Sequence, residues 1–243
     1  MFFHLAPKKA VLSDALEHLI TTYQVIQKKP RPLLARLLQL ENLHAKEAEE
    51  TYYAIRHRFN SEAGAGDEER AAWFIYLNKT CYDGLFRTNQ SGHFNVPIGR
   101  YTNPRVADAE RVRAASKALA KVKLLHADFA ESLAAARRND FVYLDPPYVP
   151  LSATSSFAAY DGGFSMRDQE ALRDLFAKLD RRGCLLALSN SDTPEVHALY
   201  KRKGWEVRRI AAPRSISANG SVRGTAPEVL VRNQACIEAA RGR

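Results

Sequence analysis

Short apolar runs that stop at a polar or acidic residue recur along this chain, separated by stretches with apolar positions every three or four residues. Ala10-Val11-Leu12 ends in Ser13-Asp14 and gives way to Leu16, Leu19, Ile20, Tyr23 and Ile26, a strand followed by an amphipathic helix. Residues 32–60 keep helical apolar spacing amid many charges and read as one or two surface helices, which Gly64-Ala65-Gly66-Asp67 interrupts. Ala71 through Leu77 is continuously apolar, a buried helix that delivers a loop rich in Gly, Asn and Arg from Asn78 onward. Val122 through Phe129 reads as a strand ending in Asp128-Phe129, or as another capped helix, and Phe141–Leu144 as a strand that runs into Asp145. Ser165 and Asp168 form a capping box that opens a helix to Leu179. After Gly183, Cys184–Leu188 is a buried strand with Ser189-Asn190-Ser191-Asp192 at its end, where Asn190 and Asp192 read as turn residues. Thr193 then caps and Pro194 starts the next helix, and a last pair of strands is expected at 206–210 and 228–232.

Strands alternating with helices predict an α/β fold with a doubly wound sheet, which binds ligands outside the carboxyl ends of its strands. Asp14, Asp128 and Asp145 all fall at such ends, and their convergence outweighs any one of them. Each also has a plain alternative, since an Asp at a strand-to-helix step is a ready helix cap.

Composition narrows the class. At 243 residues and 46% hydrophobic content the chain can bury one good core, with room for a smaller subdomain. A net charge of +9 favours a polyanionic partner. Cys81, Cys184 and Cys236 lack metal spacing and are odd in number, which predicts reduced thiols, a cytoplasmic location and no zinc site. Met1–Leu5 is too short for a signal-peptide core and no apolar run reaches membrane-spanning length, so no membrane partner is expected.

The chemistry concentrates in Asp145-Pro146-Pro147-Tyr148 at the end of Phe141–Leu144. The exocyclic amine of adenine is a poor nucleophile because its lone pair is delocalised into the ring. A pair of acceptors restores that density: the Asp145 carboxylate takes one amine hydrogen, the Pro146 carbonyl takes the other, and the lone pair turns toward an incoming methyl group. The two prolines fix φ and remove backbone donors, which stiffens the turn, and Tyr148 offers a flat face for the base. The alternative is a Pro-Pro loop after a buried strand in which Asp145 only caps a turn.

The tetrapeptide and the stretch Val149 through Tyr160 resemble the D12-class, or alpha-group, N6-adenine DNA methyltransferases, and within them the Dam type. Leu77 through Asn89 and Gly92 through Tyr101 look like that family's target-recognition segment, and Arg214–Gly224 followed by Glu228–Asn233 resembles its C-terminal hairpin. The likeness runs over nearly the whole chain, weakest at about 30–70 and 105–120. It implies a Rossmann-like methyltransferase domain over 1–30 and 118–243, with a small, mainly helical target-recognition subdomain over 31–117. It further implies S-adenosylmethionine as cofactor, with Asp14 gripping ribose hydroxyls, Asp128 receiving the amino group of the cofactor adenine, Phe129 packing nearby and Asp145 at the reacting end. Duplex DNA is the implied partner, with GATC as the site. Arg87 and Arg100 suit guanine or phosphate contacts, or are solvated loop charges; Leu85 and Pro97 suit a thymine methyl. Asn89, Tyr101 and Tyr82, which matches an aromatic inserted into the duplex, complete the reading set. Asp83 departs from the family's usual Asn before Gly-Leu, and a carboxylate there is unfavourable near phosphate.

The family's Lys-containing opening and its Phe-x-Gly-x-Gly turn after the first strand do not occur in this sequence, and Phe2-Phe3-His4-Leu5 looks like the helix directly after that turn. The expectation is a sheet without its first strand and weak cofactor binding by this polypeptide alone, from a truncated gene, a misplaced start or a half that needs a complementing N-terminal segment. Two other functions stay open at this level: a silent remnant that keeps DNA binding, and an N-methyltransferase acting on RNA or a protein amide. A cognate restriction endonuclease is a further candidate partner.

Overall fold

The computed structural model describes residues 1–61, 64–150, 164–213 and 225–241. Part of the stretch from Val149 to Tyr160 and the segment Arg214–Gly224, both quoted above, lie outside the described residues. The architecture is mixed α/β, and the chain divides into two compact units, Met1–Ser132 and Leu133–Arg243.

In the first unit, α1 (Phe2–Leu5) precedes β1 (Ala10–Asp14), which pairs in parallel with β2 (Val122–His126), Asp14 standing opposite His126. Between them lie α2 (Glu17–Lys28), α3 (Pro30–Lys46), α4 (Ala48–Ser61), α5 (Asp67–Thr80) and α6 (Ala109–Leu119); α7 (Phe129–Ser132) follows β2. Residues 32–60 form two helices as expected, but they are not merely surface helices. Leu33, Leu37 and Leu40 of α3 and Tyr52, Ile55 and Phe59 of α4 are buried around α5, because three or four apolar residues on one face of each helix suffice for a core despite the charges between them. The central α5 buries Ala71, Ala72, Trp73, Phe74, Tyr76 and Leu77, and its Tyr76 hydroxyl meets His44 Nδ1 at 2.7 Å inside the core. Burial holds His44 below its ordinary pKa.

In the second unit, β3 (Phe141–Leu144), β4 (Leu185–Ser191), β6 (Thr225–Asn233) and β5 (Trp205–Pro213) make a sheet in that order, β3 parallel to β4 and the other pairings antiparallel. The helices are α8 (Met166–Arg182), α9 (Pro194–Tyr200) and α10 (Gln234–Arg241). Both sequence-predicted caps form. The Ser165–Asp168 box opens α8, and the Thr193 side chain accepts from the Val196 amide with Pro194 in the first turn of α9. The last two strands are longer than expected. The buried Asn233 stitches the core, accepting from the Leu186 and Cys236 amides at 2.9 and 3.1 Å and donating to Asp180 at 2.7 Å.

Among the described residues the strands thus form two sheets, and β1 and β3 each have a strand partner on one side only. The three cysteines are free thiols, and no described helix is long and apolar enough to cross a membrane.

Candidate active site and recognition loop

Asp145 follows the last residue of β3, where the parallel pairing of Leu144 with Leu188 brings the end of β4 alongside. Ser189 of β4 donates its hydroxyl to Asp145 Oδ1 at 2.6 Å and lies 2.9 Å from the Tyr143 hydroxyl. An ionised carboxylate only accepts, so the Ser189 proton points at Asp145 and Tyr143 is the donor to Ser189. Burial raises the Tyr143 pKa, which keeps that donor protonated. The chain Tyr143 to Ser189 to Asp145 fixes one carboxylate oxygen, and the Asp145 side chain stays exposed.

The turn itself is held from behind. The side-chain amide of Gln169, on α8, donates to the Pro147 carbonyl at 2.8 Å, and Asn190 Oδ1 accepts from the Val149 amide at 3.0 Å. Asn190 Nδ2 in turn donates to Gln169 Oε1 at 3.1 Å. Tyr148 lies between these two backbone anchors with 37% of its surface exposed, and its hydroxyl reaches toward Glu228 Oε2 at 3.4 Å. Burial, reinforced by the Asp145 and Glu228 carboxylates, raises the Tyr148 pKa, so its hydroxyl is neutral.

Asn190 is not in a turn: β4 continues through Ser191, and Asn190 is fully buried, its Oδ1 also accepting from the Ser191 amide at 2.9 Å. A polar side chain occupies a buried strand position because it satisfies backbone groups that a loop leaves unpaired. Asp192 does lie past the strand, paired with His197 at 2.6 Å and Arg209 at 2.8 Å. The sequence reading missed Ser189 and Gln169. Gln169 had one signal, since it falls on the same helical stripe as Leu172, Phe176 and Leu179 and is 1% exposed.

In the first unit, Asp14 ends β1 and Asp128 follows β2, both exposed at the carboxyl ends of a parallel pair. Each carboxylate accepts one local backbone amide at 2.8 Å, Asp14 from Leu16 and Asp128 from Glu131, so Asp128 caps α7 whereas Asp14 only closes the turn ahead of α2, whose N-cap is Leu16. A carboxylate offers about four acceptor positions, which leaves capacity for hydroxyl or amine donors of a nucleoside. Phe129 opens α7 directly beside Asp128 and is half-buried.

The stretch from Asn78 to Tyr101 is tied down by α4 and α5. Tyr52 donates its hydroxyl to the Val96 carbonyl at 2.8 Å, while Asn60 donates to the Phe94 carbonyl at 3.0 Å and accepts the Phe94 amide at 2.8 Å. Phe94 and Val96 are buried, whereas Tyr82, Arg87, Asn89, Pro97, Arg100 and Tyr101 are exposed and Leu85 is half-buried. Asn89 closes its own turn, accepting the Ser91 and His93 amides at 3.0 Å each, and Arg87 is steadied by Asn95 at 2.9 Å. Asp83 has a left-handed backbone, φ 51°, a conformation in which Asn and Asp are the commonest non-glycine residues. At Gly99 a Cβ would stand 2.4 Å from the Tyr101 ring and 2.7 Å from the Cys81 carbonyl oxygen, so only glycine lets the Tyr101 ring lie against this backbone.

The arrangement in the second unit, a fixed carboxylate beside a rigid carbonyl-bearing turn and an exposed aromatic, is suited to holding a planar amine. The family model of D12 class N6 adenine-specific DNA methyltransferases matches residues 1–212. The chain belongs to that family of adenine-specific DNA methyltransferases. It is 39% identical to the Type II methyltransferase M1.LlaDCHI of Lactococcus lactis subsp. cremoris, over 96% of this chain and 82% of that protein. It is 40% identical to the Type II methyltransferase M.MjaIII of Methanocaldococcus jannaschii, over 89% and 76%. With the DNA adenine methylase of Escherichia coli K12 the identity is 33% over 95% of this chain and 81% of the relative.

Proposed function

We propose that the chain transfers a methyl group from S-adenosylmethionine to N6 of adenine in GATC duplexes, with Asp145, the Pro146 carbonyl and Tyr148 holding the flipped base. The observation that carries this reading is Asp145 at the end of β3 with one oxygen held by Ser189 at 2.6 Å. With that oxygen held, the carboxylate presents a fixed acceptor to one amine hydrogen, and Pro147 keeps the Pro146 carbonyl in a stiff turn for the other. Tyr148, neutral and partly exposed, stacks on the adenine ring. The cofactor supplies an electrophilic methyl group on its sulfonium; Asp14, Asp128 and Phe129 hold its adenosine part.

Arg87 and Arg100 contact guanine or phosphate, Leu85 and Pro97 the thymine methyl, and Tyr82, Asn89 and Tyr101 complete the contact surface. In this reading residues 31–117 recognise DNA, and 1–30 with 118–243 catalyse. Acting on genomic DNA, the protein works in the cytoplasm at the nucleoid. A complementing segment that bears a Phe-x-Gly-x-Gly turn would find β1, with Val11 54% exposed, and β3, with Phe141 48% exposed, among the edge strands of the described residues. The Type II names of two relatives favour a cognate endonuclease of the same specificity.

The test is transfer of labelled methyl from S-adenosylmethionine to a GATC duplex by the purified chain, beside a scrambled duplex and Asp145→Ala. Transfer that needs both GATC and Asp145 is the expected result. Duplex binding without transfer would make this chain a silent binder, and transfer to RNA or protein instead of duplex would overturn the substrate.

A further inference from the structure

We propose that Gln169 and Asn190 act together as a clamp that sets the orientation of the Asp145–Tyr148 turn, and are positioning residues for methyl transfer although neither touches the base. The proposal rests on the methyltransferase reading above and adds two residues from outside the tetrapeptide. Gln169 is 1% exposed and Asn190 is 0% exposed, in an environment where a polar group is retained only if its hydrogen bonds are made. Their bonds go to two points that bracket Tyr148: the Pro147 carbonyl at 2.8 Å and the Val149 amide at 3.0 Å. The 3.1 Å bond between the two side chains closes the loop, so α8, β4 and the turn become one frame. With the carbonyl of Pro147 and the amide of Val149 fixed, the peptide planes on both sides of Tyr148 cannot rotate independently. The Pro146 carbonyl, one residue before the Pro147 anchor, inherits that orientation.

The geometry also assigns polarity. The Gln169 amide nitrogen must face Pro147, because its oxygen is needed by Asn190 Nδ2, and Asn190 must turn its oxygen to Val149, because an amide hydrogen needs an acceptor. Reversing either amide would set like groups against each other at both ends, so the network has one satisfied arrangement. The alternative role for such a pair is to satisfy buried backbone groups for folding alone, and the two roles separate experimentally.

The experiment uses the full chain and three readouts: amide hydrogen exchange at Val149 with Leu188 as an internal reference, steady-state methyl transfer, and fluorescence of 2-aminopurine at the target position. In Gln169→Met, which keeps length but removes both polar atoms, Val149 exchange should rise more than about tenfold, although Gln169 does not touch that amide, while Leu188 stays within about twofold. The kcat should fall about 10- to 100-fold, because a small misplacement of the acceptors is felt in the chemical step, with KM for the cofactor and duplex affinity little changed. The 2-aminopurine signal of the captured base should drop with kcat.

Gln169→Glu covers the case in which the methionine variant does not fold. Its carboxylate cannot donate to the Pro147 carbonyl, but burial raises its pKa and the protonated form regains an O–H donor. Its kcat relative to the unsubstituted chain should therefore recover as pH falls from about 8 to about 6, which loss of a purely structural contact would not produce. A folded Gln169→Met with Val149 exchange unchanged, or with kcat within about twofold of the unsubstituted chain, would overturn the clamp. A Gln169→Glu ratio flat with pH would do the same. Absence of transfer by the unsubstituted chain counts against the methyltransferase reading, whereas Val149 exchange indifferent to Gln169→Met counts against the clamp, so the two failures are distinguishable.

Discussion

The turn at Asp145 and the loop from Asn78 to Tyr101 are both held by buried or half-buried polar side chains, yet the grip stops at a different depth in each. Around Asp145 it extends to the side chain that we propose meets the base: Ser189 holds the carboxylate, and Gln169 and Asn190 hold the backbone. In the loop, Tyr52 and Asn60 take hold of the Val96 and Phe94 backbone, and exposed Arg100, Tyr101 and Tyr82 project beyond it. Chemistry at one nitrogen needs atoms fixed to a fraction of an ångström. Reading a duplex needs a fixed platform and side chains free to adjust to it.

The sharpest way to break this contrast is to remove the platform. Asn60→Ala leaves the amide and carbonyl of buried Phe94 unpaired, and should lower stability by about 2–4 kcal/mol in denaturant melts while weakening duplex binding. Preserved affinity in a folded Asn60→Ala would mean the loop needs no platform. Next in size is Ser189→Ala, which frees the carboxylate but leaves the turn anchored. It should reduce kcat about tenfold, roughly 1.4 kcal/mol, with duplex affinity unchanged. Arg100→Ala should weaken duplex binding and make the salt dependence shallower by about one counterion if the arginine meets a phosphate; loss of guanine preference instead assigns it to a base.

The smallest effect is expected just past β4, at Asp192. Hydrogen bonding from His197, then from Arg209, holds its carboxyl below the usual range. The stability this gives is present above the unfolded value of about 3.9 and is lost as pH falls through the lower folded value. Asp192→Asn should therefore flatten the acid limb of a stability profile below about pH 5 and leave methyl transfer at neutral pH unchanged.

Much of this was legible in the residues. The caps at Ser165 and Thr193, the acid ends of β1 and β3 and the buried α5 follow from spacings within a few positions, where local physics decides. What stayed hidden lies at long range. Ser189 meets Asp145 across 44 residues and Gln169 meets Pro147 across 22, and the apolar stripe that marks Gln169 as facing inward does not say which backbone group it meets. The burial of α3 and α4 was underestimated for a similar reason: charges are interleaved with their apolar residues along the sequence, but the buried apolar ones share a face. The reading expected an α/β fold with a doubly wound sheet lacking its first strand, and the described residues form a mixed α/β architecture whose strands lie in two small sheets.

Gly99 carries a lesson for anyone wishing to retarget such a protein. Because the Tyr101 ring and the Cys81 carbonyl already fill the place of a Cβ, the bend at position 99 belongs to the chassis and not to the vocabulary. On the proposed reading, letters at 85, 87, 97 and 100 are open to exchange in a library, while 94, 96 and 99 are best kept invariant, so that diversity is confined to positions proposed to alter what is read and not whether a loop exists to read it.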